Sequence, residues 1–285
     1  MDAKSARYIS DSILSGTNRL HLDIWQHEEV CPVLLFIPGT GAYAAYYTEF
    51  LERLAQQGFT IVGLNLRGHG KSSGVRGDFS FDELLDDVDA AVSYITDNLT
   101  GNIGVFGSSQ GGLLTLYAAA RNDAVRSALC HNAAYLPRDA ADCTRAPRLY
   151  SKTMPLFVAF SRMLPSLRLP TTIYLDMHDV FRDDANLKIY LDDPLTVKKY
   201  SLRSIASLAT AKPARPLSDI ACPVMILTGS EDAIIPLAVA RRVFDDLTPP
   251  KSLEVVEGAL HMLFIEYIDE TLPIVSDWFH KTMRT

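Results

Sequence analysis

Residues 107–111 constrain the fold of this 285-residue chain most strongly, because they read Gly-Ser-Ser-Gln-Gly, the pattern G-x-S-x-G. An apolar run at 103–106 precedes them, and a helix-forming run at 112–120 follows. A strand that turns sharply into a helix brings backbone segments together and strains the residue at the bend, so its neighbours must lack a Cβ. The pattern therefore predicts a tight strand-to-helix turn that projects Ser109 outward, near helix N-terminal amides that favour developing negative charge.

Short apolar runs alternate with amphipathic runs along most of the chain. The predicted strands lie at 20–25, 33–37, 60–64, 103–106, 125–130, 222–228 and 252–256. The predicted helices lie at 46–57, 81–98, 112–120, 151–164, 236–246 and 264–281. This order implies an α/β fold with a mostly parallel central sheet that is covered by helices on both faces.

The segment 135–216 breaks this alternation. It is rich in prolines and basic residues and contains no run typical of a buried strand. A structureless loop of this length would be unusual in a compact domain. We therefore expect a helical cap, inserted into a core formed by residues 1–134 and 217–285, that covers the site.

Charge and composition exclude several classes of protein. The net charge of -7 argues against nucleic-acid binding, which needs a basic surface. No segment approaches about 18 consecutive apolar residues, so we expect no transmembrane segment, and residues 1–7 lead into no signal-peptide core. The four cysteines are scattered and read as buried free thiols of a reducing compartment. These features predict a cytoplasmic protein and leave its oligomeric state open, a homodimer being one option.

A serine hydroxyl is a poor nucleophile near neutral pH unless a base takes its proton and a third group orients that base. Two carboxylates, Glu231 and Asp232, follow the predicted strand 222–228, at the edge of a parallel sheet where ligands bind. An alternative role for Asp232 is to cap the next helix. His261 follows strand 252–256 and a glycine turn, which makes it the candidate base.

An acyl-transfer serine also needs hydrogen-bond donors for the oxyanion. The backbone amide of Gln110 is one candidate, and the amide of Thr40, in the loop after strand 33–37, is the other. Gly39 and Gly41 allow this loop to turn its amides inward. The alternative is that these glycines only form a turn.

Three further residues are candidates for a substrate pocket: Gly39, Tyr43 and His131. The alternatives are strand-end packing for His131 and helix packing for Tyr43. The run 176–179 reads Asp-Met-His-Asp, which fits a polar face or a substrate contact better than a metal site. We expect neither a metal nor a cofactor.

Residues 107–112, Asp232 and His261 together resemble the α/β-hydrolase fold serine hydrolases, close to the monoacylglycerol lipase, lysophospholipase and S33-like esterase group. Residues 67–74 are similar to the R-G-H-G-x-S motif of that group. The resemblance runs from about residue 20 to the end of the chain. It implies a carboxylic-ester hydrolase that works through an acyl-enzyme, favours Asp232 over Glu231 as the acid, and assigns His69 to a structural loop.

The chain departs from the family pattern at two points. Pro38 stands where the family often has histidine, and Ser108 and Gln110 flank the nucleophile where many lipases have histidine and methionine. A Gly-x-Ser-Gln-Gly turn resembles that of feruloyl and cinnamoyl esterases, which hints at small or aromatic acyl groups. The same three catalytic residues would also serve a thioesterase, acyltransferase, peptidase or carbon–carbon bond hydrolase. A non-catalytic ligand-binding protein of this fold is a further alternative, which the complete set of three residues disfavours.

Overall fold

The computed structural model describes residues 6–143 and 147–283. Its strands are β1 (Arg7–Ser15), β2 (Asn18–Gln26), β3 (Val33–Ile37), β4 (Thr60–Leu64), β5 (Ile103–Ser108), β6 (Val125–His131), β7 (Arg168–Pro170), β8 (Lys199–Ser201), β9 (Val224–Gly229) and β10 (Lys251–Val256). Eight of them form one sheet in the order β1-β2-β4-β3-β5-β6-β9-β10. In this sheet the β1–β2 and β2–β4 pairs are antiparallel and the five other pairs are parallel, so the predicted α/β fold with a mostly parallel sheet is confirmed.

The α-helices are α1 (Thr48–Ala55), α2 (Phe81–Asn98), α3 (Gln110–Ala119), α4 (Leu136–Asp139), α5 (Pro147–Met163), α6 (Met177–Val180), α7 (Asp184–Asp192), α8 (Leu202–Thr210), α9 (Leu237–Asp246), α10 (Leu263–Glu266) and α11 (Ile268–Thr282). Side chains of α2, α3 and α9 join one apolar cluster on the sheet, and those of α1, α10 and α11 join a second cluster. Within β3, Val33, Leu35 and Ile37 belong to the first cluster, whereas Leu34 and Phe36 belong to the second. All five are buried because helices cover both faces of the sheet.

Two segments that were each predicted as one helix are divided in the structure. The segment predicted as one helix at 46–57 begins with a 3-10 turn, Ala44–Tyr47, before α1. The predicted closing helix 264–281 is divided into α10 and α11 at Tyr267, whose φ of -133° is not helical. Strand β1 was not predicted, because it is an edge strand whose side chains are mostly exposed and show no clear apolar alternation.

Residues 135–216 lie between β6 and β9 and contain α4 to α8. The sequence indicated no buried strand there, and the structure has the short antiparallel pair β7–β8. Backbone hydrogen bonds tie this insert to the loops of the core: the amide of Val197 donates to Gly41 O at 2.8 Å, and that of Ser201 to Gly77 O at 2.8 Å. Within the described ranges, no helix combines the length and apolarity needed to cross a membrane.

Candidate active site

Ser109 occupies a strained turn between β5 and α3, with φ of 54° and ψ of -116°. The flanking glycines are needed because neighbouring backbone lies very close. A Cβ on Gly111 would lie 2.0 Å from the carbonyl oxygen of Ile37, and one on Gly112 would lie 2.2 Å from that of His131. The turn predicted from the G-x-S-x-G pattern is present, and its strain falls on the serine itself.

The structure brings Ser109, His261 and Asp232 into one hydrogen-bonded row. His261 Nε2 lies 2.7 Å from Ser109 Oγ, and His261 Nδ1 lies 2.8 Å from Asp232 Oδ2. Each residue follows the C-terminal end of a parallel strand: β5 for the serine, β9 for the aspartate and β10 for the histidine. His261 and Asp232 are buried, which shields their interaction from water.

Asp232 is held by hydrogen bonds on both carboxylate oxygens. Oδ1 accepts from the amides of Ile234 and Ile235 at 2.8 and 2.9 Å, while Oδ2 accepts from His261 and from Asn132 Nδ2. Burial alone would raise the pKa of Asp232, but the charge of His261 and the hydrogen bonds from His261 and Ile235 hold that pKa below its usual value. The ionised carboxylate keeps a proton on His261 Nδ1 and leaves Nε2 free to accept from the serine.

The other candidate acid, Glu231, points away from this row. Its Oε2 pairs with the guanidinium of Arg182 at 2.9 Å, and both side chains are about half exposed. The proposed capping role of Asp232 is met only in part, because its Oδ1 accepts amides in the loop before α9, whereas Pro236 stands at the N-cap of that helix.

The loop after β3 lies beside the serine, as expected of an oxyanion loop. Thr40 Oγ1 donates to Gln110 Oε1 at 3.2 Å, which links this loop to the first residue of α3. The loop is also fixed by Tyr200, whose hydroxyl accepts from the Gly41 amide at 2.7 Å, and by Tyr190, whose hydroxyl donates to Thr40 O at 3.1 Å. The backbone amides of Thr40 and Gln110 have no hydrogen-bond partner within residues 6–143 and 147–283. The side chain of Gln110 therefore holds the loop in place, and the backbone amide of Gln110 is available to donate to a ligand.

His69 lies apart from this row and serves the loop structure, as the resemblance implied. Its Nδ1 is 2.9 Å from Arg67 O, and its Nε2 is 3.1 Å from the hydroxyl of Tyr200. Burial lowers the pKa of His69 to about 4, so the ring is neutral and rigidly held.

A small cavity of about 30 Å³ opens beside Ser109. Backbone and catalytic groups form one wall, and apolar or aromatic side chains form the rest. The lining residues are Gly39, Thr40, Ala42, Tyr46, Tyr47, Ser109, Leu175, Met177, Val180, Phe181, Tyr190, His261 and Met262. The insert contributes Met177, which lies in the run 176–179 that was interpreted as a polar face or a substrate contact, and Phe181 and Tyr190, which sequence reasoning did not find.

Of the three candidates for a substrate pocket, Gly39 is among the residues that line this cavity, whereas His131 and Tyr43 are not. His131 ends β6 beneath the site, fully buried, with its Nδ1 3.1 Å from Ser108 Oγ. Tyr43 points toward the insert and donates from its hydroxyl to Asp193 Oδ2 at 2.8 Å. In the run 176–179, Asp176 accepts from the His178 amide at 3.0 Å as the N-cap of α6.

The strand order, the strained serine turn and the hydrogen-bonded row define an α/β-hydrolase with a serine-centred site. The family model of serine aminopeptidase, S33, matches residues 28–267, and the chain belongs to that family. Monoacylglycerol lipase of Mycolicibacterium smegmatis is 25% identical over 88% of this chain and 89% of its own length. Phospholipase YtpA of Bacillus subtilis is 24% identical over 85% of this chain and 92% of its own length.

Solved structures share the fold. The monoacylglycerol lipase of Paleococcus ferrophilus superposes with a TM-score of 0.75 at 23% identity, over 97% of this chain and 99% of that one. A soluble variant of the Saccharomyces cerevisiae monoglyceride lipase gives a TM-score of 0.79 at 18% identity, over 100% of this chain and 98% of that one. Family membership and these relatives confirm the prediction of an ester hydrolase with the α/β-hydrolase fold.

Proposed function

We propose that this enzyme hydrolyses small-molecule carboxylic esters through an acyl-enzyme on Ser109. The observation that carries the proposal is the continuous row from Ser109 Oγ through His261 Nε2 and Nδ1 to Asp232 Oδ2, with separations of 2.7 and 2.8 Å. In this row Ser109 is the nucleophile, His261 the general base and acid, and Asp232 the group that orients the imidazole.

Acylation begins when Ser109 Oγ attacks the acyl carbon and its proton passes to His261 Nε2. The carbonyl oxygen becomes an oxyanion, which accepts hydrogen bonds from the amides of Thr40 and Gln110. Asp232 stabilises the imidazolium through Nδ1. The bond from carbon to the leaving oxygen then breaks, and His261 Nε2 returns the proton to that oxygen, which releases the alcohol.

Deacylation repeats these steps with water as the nucleophile. His261 Nε2 takes a proton from water, whose oxygen attacks the acyl carbon and forms a second oxyanion in the same site. Collapse breaks the bond to Ser109 Oγ, which recovers its proton from His261, and the carboxylic acid leaves.

In this proposal residues 135–216 act as the cap, and Met177, Phe181 and Tyr190 of the cap form part of the acyl pocket. A cavity of about 30 Å³ has room for about two water molecules, so a short acyl group fits it better than a long one. Relatives named as lipases and as a pimeloyl-acyl-carrier-protein methyl ester esterase support an ester substrate. We place the enzyme in the cytoplasm, because free thiols such as its four cysteines persist in a reducing compartment.

Covalent labelling with a fluorophosphonate tests the nucleophile. Wild-type protein should take up one label and hydrolyse nitrophenyl acetate, whereas Ser109→Ala should do neither while keeping its melting temperature within a few degrees. Ser218→Ala, which alters an exposed serine of a 3-10 turn, is the matched control and should behave as wild type. Folded wild-type protein that takes up no label, or hydrolysis by Ser109→Ala, would contradict the proposal. Thioesters and amides of the same acid, assayed alongside, establish which acyl bond is preferred.

A further inference from the structure

A buried polar group beneath the catalytic row takes no part in the mechanism above. Asn132 is the first residue after β6, is fully buried, and has a φ of 64°, in the left-handed region. Its side-chain oxygen Oδ1 is buried without a hydrogen-bond partner in the described part of the chain. Glycine would adopt this φ freely and leave no polar atom unsatisfied, so the backbone alone does not account for an asparagine here.

The amide nitrogen of Asn132 contacts the candidate acid directly. Nδ2 donates to Asp232 Oδ2 at 2.9 Å, the same oxygen that accepts from His261 Nδ1. The reversed amide would place Oδ1 against a carboxylate oxygen, two acceptors facing each other, so the orientation is fixed. Nδ2 also lies 3.0 Å from His261 Nδ1. His261 Nδ1 carries a hydrogen that it donates to Asp232, so its contact with Asn132 Nδ2 brings two N–H donors together. The positive hydrogen of the Asn132 amide therefore disfavours positive charge on the imidazole of His261.

His131 holds the other hydrogen of the same amide. Its Nε2 lies 3.3 Å from Asn132 Nδ2, and its Nδ1 lies 3.1 Å from Ser108 Oγ. Burial, followed by the charge of His261, lowers the pKa of His131 to about 3. A neutral ring whose Nδ1 donates to Ser108 leaves Nε2 as an acceptor for Asn132.

We propose that Asn132, held by His131, is a positioning residue that fixes Asp232 Oδ2 against His261 Nδ1. The inference rests on the proposed function, since it assigns a role within that catalytic row. The amide prevents the carboxylate from turning as the imidazolium forms, and its positive hydrogen limits how strongly the row stabilises that cation.

Asn132→Gly removes the amide and keeps the backbone conformation, because glycine adopts positive φ without strain. We expect kcat to fall about 10- to 100-fold, the usual loss when a group that orients a catalytic residue is removed, with KM changed less than about twofold. Asn122→Gly is the matched control. Its Nδ2 also donates to a carboxylate oxygen, Asp89 Oδ1 at 2.8 Å, but in the loop after α3, and its kcat should stay at the wild-type level.

The acidic limb of the pH profile of kcat/KM gives a readout that a purely structural role would not change, because it reports how the coupled row of Ser109, His261 and Asp232 binds protons in the free enzyme. The titratable groups that face His261 are Asp232, His131 and Ser109. Removing the amide hydrogen strengthens the attraction between Asp232 and the imidazolium, so the limb should move to higher pH in Asn132→Gly. Should that variant fail to fold, Asn132→Ala removes the same donor at the cost of a strained φ, and it should shift the limb in the same direction.

The two proposals fail in different ways. Absence of fluorophosphonate labelling in the wild type overturns the proposed function. Normal labelling of the wild type, combined with wild-type kcat and an unmoved acidic limb in Asn132→Gly, overturns the positioning role and leaves the proposed function intact. Equal losses of kcat in Asn132→Gly and Asn122→Gly also overturn it, because the effect would then not depend on contact with Asp232.

Discussion

Two residues other than glycine have positive φ within residues 6–143 and 147–283, and both lie at the candidate site. They are Ser109 at 54° and Asn132 at 64°. They follow the neighbouring strands β5 and β6, so the strain lies on one short stretch of the sheet edge. Such conformations cost about 1–3 kcal/mol each and persist only where the surrounding structure holds them. Strain at these positions therefore coincides with the chemistry that the site requires.

The strain at Ser109 predicts an inverted order of stability for two inactive variants. Ser109→Gly should be more stable than Ser109→Ala by about 1–3 kcal/mol, because both lose the hydroxyl but only alanine keeps a Cβ in the strained conformation. Urea unfolding measures the difference in the free energy of unfolding. The same pair of substitutions at Ser218, where φ is not positive, should show the usual order, with alanine the more stable. If Ser109→Ala were at least as stable as Ser109→Gly, the strain argument would be wrong.

At the scale of elements, the glycines of the serine turn set how closely α3 approaches β3 and β6. A Cβ on Gly112 would meet two backbone oxygens, those of His131 at 2.2 Å and Asn132 at 2.5 Å. These oxygens belong to the backbone at the end of β6, so they cannot move aside as the end of a flexible side chain could. The turn is thus determined by packing between elements as well as by its own residues.

Gly112→Ala should therefore destabilise the protein by about 3 kcal/mol or more, the upper end of the cost of overpacking, and should lower kcat by displacing the strand end that precedes Asn132. Gly101→Ala is the control, since a Cβ there meets nothing within 4 Å and φ is not positive. Its free energy of unfolding should be within about 0.5 kcal/mol of wild type. Equal unfolding midpoints for the two variants would refute the close-approach argument.

The elements that the sequence predicted best are those whose own residues determine them. Helix α2 carries a capping box, Ser80 with Glu83, and the apolar face predicted from its spacing is buried. The succession of strands along the chain, the serine turn and the loops that carry Asp232 and His261 could likewise be predicted, because short buried runs and glycine turns mark them. The burial of His131 was not readable, since a strand end looks the same in sequence whether it reaches the pocket or stops one layer below.

In the molecule as a whole, the sheet edge carries the reactive groups, and side chains of the core and of the insert together line the pocket beside them. Met177, Phe181 and Tyr190 line the cavity although no periodic pattern in the sequence points them there. Their positions depend on how several short elements fold over the core, through long-range contacts such as that of Tyr190 with Thr40. The chemistry could therefore be predicted from the sequence, whereas the substrate preference depends on tertiary contacts.

One side chain of the core holds the pocket-lining part of the insert in place. Glu266, at the end of α10, accepts from the amides of Arg182 and Asp183 at 3.0 and 2.9 Å and from Asn186 Nδ2 at 3.3 Å. These donors lie between Phe181 and the first turn of α7. Hydrogen bonds to a charged group contribute about 1.5–3 kcal/mol each when buried and less when partly exposed, as here. Glu266 therefore stabilises the observed position of the insert by an amount on the order of 1–2 kcal/mol.

Glu266→Ala should shift the acyl-chain preference toward longer chains. A long acyl group needs the insert to open more than an acetyl group does, so kcat/KM for a nitrophenyl octanoate should rise about tenfold relative to that for the acetate. The ratio of the two kcat/KM values measures this shift independently of any common change in activity. Glu270→Ala, which removes an exposed carboxylate from the first turn of α11, is the matched control and should leave the ratio unchanged. An unchanged ratio in Glu266→Ala would show that the core, and not the closure of the insert, sets the limit on acyl length.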